Sequence, residues 1–323
     1  MKKYMIISMA VLALLFASCK NEDISISREV SFEVNPYEVI NKFVNNEVNS
    51  GDLVDIGSQY SVRVNLFVYD SKGVLEDSEV KYCSNYRETM NATFDLNDGE
   101  YIVIATTDVV KYNGNVTFEY WNFSGKEHLS ELKITDAGYL GSDVKILGIG
   151  HEKITVGSGN TTNHITLKPA GALIIAHVWD INHYNIVDVY NLLSNKSSAS
   201  CSFNNDGTYN TFIEEATFYR WYVKRFYPSD FSSYGGYGYQ FFLPLGDTHF
   251  MWEAETNEGS SVDMTDDMSL DIKAEKTYQF TLDLGEGTYY YGEVENGKSN
   301  APLINGKTMV RSSDEDEMEY SVK

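Results

Sequence analysis

SVRVNLFVYD, residues 61–70, decides the fold class. Val62, Val64, Leu66 and Val68 recur at every second position, so an extended chain presents them all on one face. Phe67 and Tyr69 make the opposite face partly apolar, as expected for a strand lying between two layers. Asp70, Ser71, Lys72 and Gly73 follow as a turn, so residues 74–82 should return as the second arm of a hairpin.

The same grammar runs outward in both directions. Upstream, residues 24–35 (ISISREVSFEVN) alternate over their second half, with Val30, Phe32 and Val34 set against Glu29, Ser31 and Glu33. This is a first strand ending near Pro36, with a short helix over residues 36–44. Downstream, Asn97, Asp98 and Gly99 form a turn before YIVIAT (101–106), a nearly continuous apolar run that reads as a buried central strand. Residues 108–124 are aromatic and irregular. A short helix or strand is expected at 129–134, and short strands at 144–149, 153–156 and 164–168.

Pro169 and Gly171 punctuate the midpoint. Beyond them ALIIAHVWD (172–180) parallels SVRVNLFVYD in length, apolar density and final Asp. FFLPLGDTHFMWEAET (241–256) parallels FDLNDGEYIVIATT (94–107) in the same way. This weak internal repeat points to two similar sandwiches. AEKTYQFTLDL (274–284) has the cleanest alternation in the chain. Tyr278, Phe280, Leu282 and Leu284 should face inward on a closing strand. Residues 286–323 are rich in Gly, Asn and Ser, carry an acidic cluster at 314–317, and read as a tail, with an extended strand around Met309 and Val310 that pairs elsewhere as the alternative.

Composition agrees with an all-β body. The 323 residues are 42% hydrophobic and 22% charged, enough apolar material for packed cores. Tyr is used 24 times, and Val, Ile, Thr and Tyr recur in alternating runs. Lys and Arg total 25 against 47 Asp and Glu, a net charge of −22. That balance argues against nucleic-acid binding, which needs a basic face, and against electrostatic docking on anionic lipid.

The amino terminus has the layout of an export signal. Lys2 and Lys3 give a positive start, residues 5–16 are apolar, and Ala17 and Ser18 lead to Cys19. The run is too short to span a bilayer comfortably, which takes about 20 apolar residues. Phe16-Ala17-Ser18-Cys19 resembles a bacterial lipobox, whose cysteine is acylated and becomes the first mature residue. Lys20, Glu22 and Asp23 then look like the tag of Bacteroidetes lipoproteins sent to the cell surface. The resemblance implies an outer-membrane, surface-exposed protein held through lipid on Cys19. Of the remaining cysteines, Cys83 and Cys201 lie too far apart in sequence to suggest a disulfide framework.

Signals for catalysis are weak. No zinc-protease, nucleophile-elbow, phosphate-loop or dinucleotide motif occurs. Ser130 and Lys133 fit SxxK without its companion pattern. The histidines are scattered, and His177, inside an apolar strand, reads as a core residue and not as a metal ligand. Asp263, Asp266, Asp267 and Asp271 lack the spacing of a calcium loop. No catalytic residue, metal or cofactor is expected. The aromatic stretch 218–242 offers one candidate contact surface. Tyr234, Tyr237 and Tyr239 alternate with Gly235, Gly236 and Gly238 and suggest an exposed loop that could stack on sugar rings.

Taken together, the lipobox, the early strand, VRVNLFVYDSKG, LNDGEYIVIAT, NHITLKPAGALIIAHVWD and AEKTYQFTLDL resemble the fimbrillin-like lipoproteins of Bacteroidales, the type V pilus subunits and their anchors. The resemblance implies two tandem transthyretin-like β-sandwiches behind a lipoprotein signal peptide. The signal would take residues 1–18, the sandwiches 19–168 and 169–285, and the acidic tail 286–323. It also implies partners among other fimbrial subunits or surface proteins, and assembly by strand exchange. In that scheme the leaving strand is cut away after an arginine, and a neighbour's strand fills the gap. Val30, Phe32 and Val34 would form that strand here. Arg28 precedes it, and the next arginine, Arg63, lies inside a core strand, which favours an anchor that keeps its lipid and its strand. A glycan-binding surface lipoprotein is the alternative.

Overall fold

The computed structural model describes residues 27–44, 60–83, 87–137, 145–157, 162–179, 185–194, 197–198, 200–212, 219–225, 235–244, 247–265, 268–283, 288–295, 298–299, 304–307, 309–311 and 317–319. The described chain is nearly all strand. Its first half runs β1 (Ser27–Val34), helix α1 (Tyr37–Val44), β2 (Tyr60–Asp70), β3 (Leu75–Cys83), β4 (Met90–Asn97), β5 (Gly99–Tyr112), β6 (Val116–Glu119), β7 (Trp121–Ser124), β8 (Lys133–Asp136), β9 (Leu147–Val156), β10 (Thr162–Ile165) and β11 (Lys168–Pro169). A single 3-10 turn, Leu129–Glu131, precedes β8.

Three layers stack in this half. A sheet ordered β10-β1-β4 forms the first, and one ordered β11-β9-β5-β2-β3, with β6 beside β5, forms the second. Alternation on β4 buries Met90, Ala92, Phe94 and Leu96 and exposes the residues between them. Strand β2 is buried on both faces, as its two apolar sets require. By register, Val64, Leu66 and Val68 share a face with Thr107, Ala105 and Val103 of β5 and with Gly148 and Gly150 of β9. A Cβ on Gly148 would stand 2.7 Å from Val39, and one on Gly150 would stand 3.1 Å from Ile165. This face therefore looks onto α1 and β10.

Gly150 has a structural reason to be glycine. An added Cβ would lie 2.4 Å from the Thr166 carbonyl oxygen, a backbone atom that cannot swing away. Gly150→Ala should therefore cost about 1–3 kcal/mol through overpacking. Chemical denaturation would show it as a lowered midpoint with an unchanged slope.

The opposite face of β2 carries Arg63, Asn65, Phe67 and Tyr69. A small third sheet, ordered β16-β15-β8-β7, covers it. Two of its strands come from the second half of the chain. That half runs β12 (Ala172–Trp179), β13 (Ile186–Ser194), β14 (Ser197–Ser198), β15 (Ser200–Phe203), β16 (Tyr209–Phe212), β17 (Tyr219–Arg225), β18 (Gly235–Pro244), β19 (Asp247–Thr256), β20 (Ser261–Asp263), β21 (Met268–Asp271), β22 (Thr277–Asp283) and β23 (Thr288–Glu295). The β15–β16 hairpin pairs Ser200, Cys201 and Ser202 with Thr135, Ile134 and Lys133 of β8. Its turn reaches over the central sheet, and Gly207, at φ +88°, leaves no room for a side chain beside Ile102 and His151. One apolar core runs from Val30 to Leu243, and Trp121 meets Phe241 edge to face at 6.4 Å. Cys83 and Cys201 are both buried and form no disulfide.

The rest of the second half forms two further sheets. One, of seven strands, is ordered β14-β18-β12-β22-β23, with the short strands Lys298–Ser299 and Ile304–Lys307 both pairing with β23, and the other is ordered β17-β13-β19-β20 with β21 beside β19. Tyr278, Phe280 and Leu282 of β22 are buried, matching the alternation, whereas Leu284 lies outside the described residues.

Several sequence expectations need correction. The cleanest strand does not close its sheet, because β22 lies between β12, parallel to it, and β23. The ordered body also passes residue 285, since β23 pairs along β22 and buries Tyr289. Within the stretch read as tail, Met309–Arg311 is a strand paired with Glu317–Glu319, in line with the alternative reading around Met309 and Val310. Residues 108–124 are not irregular: β5 runs on to Tyr112 and is followed by β6 and β7. The two strands expected at 144–149 and 153–156 are one, β9. Exposed His151, Glu152 and Lys153 interrupt its apolar pattern, while its pairing to β5 continues without a break. The internal repeat does not carry over to pairing. β12 has a parallel neighbour, whereas both neighbours of β2 are antiparallel.

His177 is buried in β12, in register with Tyr237 and Thr281. Burial lowers its pKa to about 4. An unfolded chain takes up this proton at about pH 6.5, so acid favours unfolding until the folded imidazole also titrates. Stability should fall by roughly 2 kcal/mol between about pH 6.5 and pH 4 on this account. His177→Gln should flatten that part of the profile in urea melts run at several pH values.

Candidate functional site

The strand that the sequence singled out is central to its sheet. β1 pairs antiparallel with β4 over its full length, from Ser27 opposite Asn97 to Val34 opposite Met90. On its other side it pairs parallel with β10, from Ser31 opposite Thr162 to Val34 opposite Ile165. β4 and β10 are thus joined through β1. Withdrawing β1 would leave two unpaired strand edges facing each other across an open slot.

Val30, Phe32 and Val34 come together as read, all on the inner face and all buried. Phe32 meets Phe94 edge to face at 5.7 Å, a favoured aromatic geometry. Burying a Val or Phe side chain contributes about 1.5–3 kcal/mol, so the three together hold the strand firmly. Asn35 then caps the turn into α1 by accepting a hydrogen bond from the Tyr37 amide at 3.0 Å.

The polar residues of β1 are tied at several points: Arg28, at the start of the strand and on the side of Val30, and Ser31 and Glu33 on the outer face. Nε and Nη2 of Arg28 donate to the two carboxylate oxygens of Asp98, at 2.5 and 3.1 Å. This contact, mainly through its hydrogen bond, raises the arginine's pKa and lowers that of Asp98. Ser31 Oγ and Thr93 Oγ1 lie 3.2 Å apart, and Asn163 donates to the Ser31 carbonyl at 3.4 Å. Glu33 lies 2.9 Å from Nδ1 of His164 on β10. Exposed pairs of this kind are screened by water and contribute little to stability. The apolar inner face, and not these ties, sets the strength of attachment.

The second arginine is still less accessible. Arg63 is 6% exposed and Asp108 1%. Arg63 Nε and Nη2 grip the two oxygens of Asp108 at 2.8 and 2.6 Å, Nη1 donates to Glu119 at 2.6 Å, and Nη2 also donates to the Trp121 carbonyl at 3.1 Å. The guanidinium also sits 5.0 Å from the centre of the Phe123 ring. Burial alone would lower the Arg63 pKa, but the two carboxylates outweigh it and hold the charge. Burial pushes the Asp108 carboxyl up against the pull of Arg63. The sequence placed Arg63 in a core strand. It gave no sign that Asp108, 45 residues on, would complete the pair.

The remaining sequence candidates fall elsewhere. Cys19, Lys20, Glu22, Asp23 and Tyr234 lie outside the described residues. Tyr237 and Tyr239 are not in a loop. Both belong to β18, opposite His177 and Ile175 of β12, and the neighbouring Gly236 and Gly238 pair opposite Val178 and Ala176. Among the described residues no helix is long and apolar enough to cross a membrane, and no group of three or more His, Cys, Asp or Glu side chains could hold a metal.

No protein-family model matches the sequence, and no curated protein matches it significantly. Solved structures do. A candidate polysaccharide-binding protein from Bacteroides thetaiotaomicron superposes with a TM-score of 0.50 at 13% identity, covering 83% of this chain and 95% of that one. The fimbrial anchor protein Mfa2 from Porphyromonas gingivalis matches at TM-score 0.47 and 13% identity over 86% of this chain and 100% of its own. A fimbrial assembly protein from Parabacteroides distasonis matches at 0.44 and 12%, over 89% and 100%. The chain is therefore similar in fold to the Bacteroides thetaiotaomicron protein.

Proposed function

We propose that this chain is a non-enzymatic surface lipoprotein of the fimbrillin-like kind. It is held in the outer membrane through lipid on Cys19 and serves as an anchor for fimbrial subunits or other adhesive surface proteins. The observation that carries the reading is β1 itself. It is a strand paired on both sides, with Val30, Phe32 and Val34 buried, and its two nearest arginines are engaged, Arg28 with Asp98 and Arg63 with Asp108 and Glu119. Neither offers a protease an open loop between β1 and β2. The chain keeps its own strand in the slot, stays attached to its lipid, and forms the fixed end of an assembly. The two-sandwich organisation read from the sequence belongs to this proposal.

Mass spectrometry of the protein from outer membranes tests it. The anchor reading expects an acylated Cys19 and a peptide covering residues 29–42 in equal yield with the rest of the chain. A mature chain beginning beyond Val34, found in ladders of higher assemblies, would instead make it a polymerising subunit. The glycan-binding reading draws on the description of the Bacteroides thetaiotaomicron protein and on Tyr234, Tyr237 and Tyr239. Retention on a polysaccharide gel that is lost in Tyr234→Ala/Tyr237→Ala would favour it over the anchor.

A further inference from the structure

Strand β3 ends its sheet. One side pairs with β2 from Val62 opposite Cys83 to Tyr69 opposite Leu75; the other side is held at Val74 and Leu75 by residues 127–129, and beyond Leu75 no strand pairs with it among the described residues. The large apolar side chains that stand exposed among the described residues gather here: Val74 at 40%, Val80 at 42% and Tyr82 at 37%. Tyr82 is held in place by stacking on Tyr112, with ring centroids 4.5 Å apart. Val80 and Tyr82 are two residues apart and share a face.

The charge on this strand is lopsided. Glu76 and Asp77 are exposed, and Glu79 is partly so. The strand's one cation, Lys81, lies 3.3 Å from Glu79 and also reaches the Asn91 carbonyl. Edge strands are commonly guarded by charge, and a guard of one sign is selective. It repels a second copy of this acidic chain while attracting a strand of opposite charge.

We propose that the free edge of β3 is a docking site for an extended segment of a partner protein in which basic residues alternate with apolar ones. Backbone hydrogen bonds along the edge supply the affinity. Glu76, Asp77 and Glu79 select the partner's cations, and Val80 and Tyr82 take its apolar side chains. The site is separate from the β1 slot, does not require β1 to leave, and stands whether or not the anchor reading holds.

The test uses the full mature chain and two fluorescently labelled, end-capped peptides of about eight residues, a length suited to an edge strand. One alternates valine with lysine, and the other alternates valine with glutamate. The lysine peptide should bind at least about tenfold more tightly than the glutamate peptide at low salt. Glu76→Lys/Asp77→Lys should reverse that preference. Both side chains are solvent-facing, so this variant should fold. Val80→Pro, checked for folding by circular dichroism, should abolish binding of either peptide. Hydrogen exchange should show slowed amides over residues 75–83 with β1 still protected. Equal affinity for the two peptides, an unchanged preference in the charge-reversed variant, or protection that appears on β4 and β10 in place of β3 would overturn the proposal.

Discussion

Arg63→Ala should destabilise the protein by about 3–5 kcal/mol, because it leaves the Asp108 carboxylate buried without its partner. The four hydrogen bonds of the Arg63 guanidinium would be lost together, and the remaining acid has almost no access to water. Arg63→Met/Asp108→Leu removes both charges and should recover most of the loss, since a buried pair often gains little over apolar residues of similar size. Glu119→Gln should cost far less, because that side chain is 38% exposed and water can replace what it loses. Guanidinium unfolding of the four proteins checks the order. An Arg63→Ala protein as stable as the parent would show that the cluster is not a structural joint between β2, β5 and β6.

Phe32→Ala is expected to cost about 3–5 kcal/mol, the range for removing a fully buried aromatic ring. Its effect should be local as well as global. Phe32 is the largest contact between β1 and the apolar floor, and it packs on Phe94 of β4. In the variant, amides of residues 30–34 should exchange together at a free energy well below that of β5, as a separate opening unit. Breaking the polar ties by Arg28→Ala or Glu33→Gln should move stability far less than Phe32→Ala does, because water screens exposed pairs. If these variants loosened β1 as much as Phe32→Ala, the strand would be held by its latches and the slot would be less apolar than described.

Much of the site was legible because its signal is local. Val30, Phe32 and Val34 alternate within a single strand, and a period of two carries its own burial prediction. The hairpin at Asp70–Gly73 was equally local. The Asp70 carboxylate accepts from the Lys72 and Val74 amides at 2.9 and 2.8 Å, and Gly73 takes φ +78°. Strands were missed where the apolar pattern breaks, as at His151–Lys153 of β9, because pairing by backbone does not require apolar side chains. The aromatic segment read as a loop became part of β18, with Gly238 opposite Ala176, because interleaved glycines do not prevent backbone pairing with a neighbouring strand.

By itself the sequence determined that this is an all-β chain, that its first strand has one apolar face, and that the whole is acidic, with a net charge of −22. Each of these rests on neighbours in the chain or on simple sums over it. Only the tertiary structure decided that β1 lies between β4 and β10, that the β15–β16 hairpin crosses to complete a layer over β2, that Asp108 answers Arg63, and that β3 is left with an open edge. Those facts depend on which strands pair. Pairing is chosen by the burial of whole faces across long stretches of chain, a cooperative outcome that no local pattern encodes.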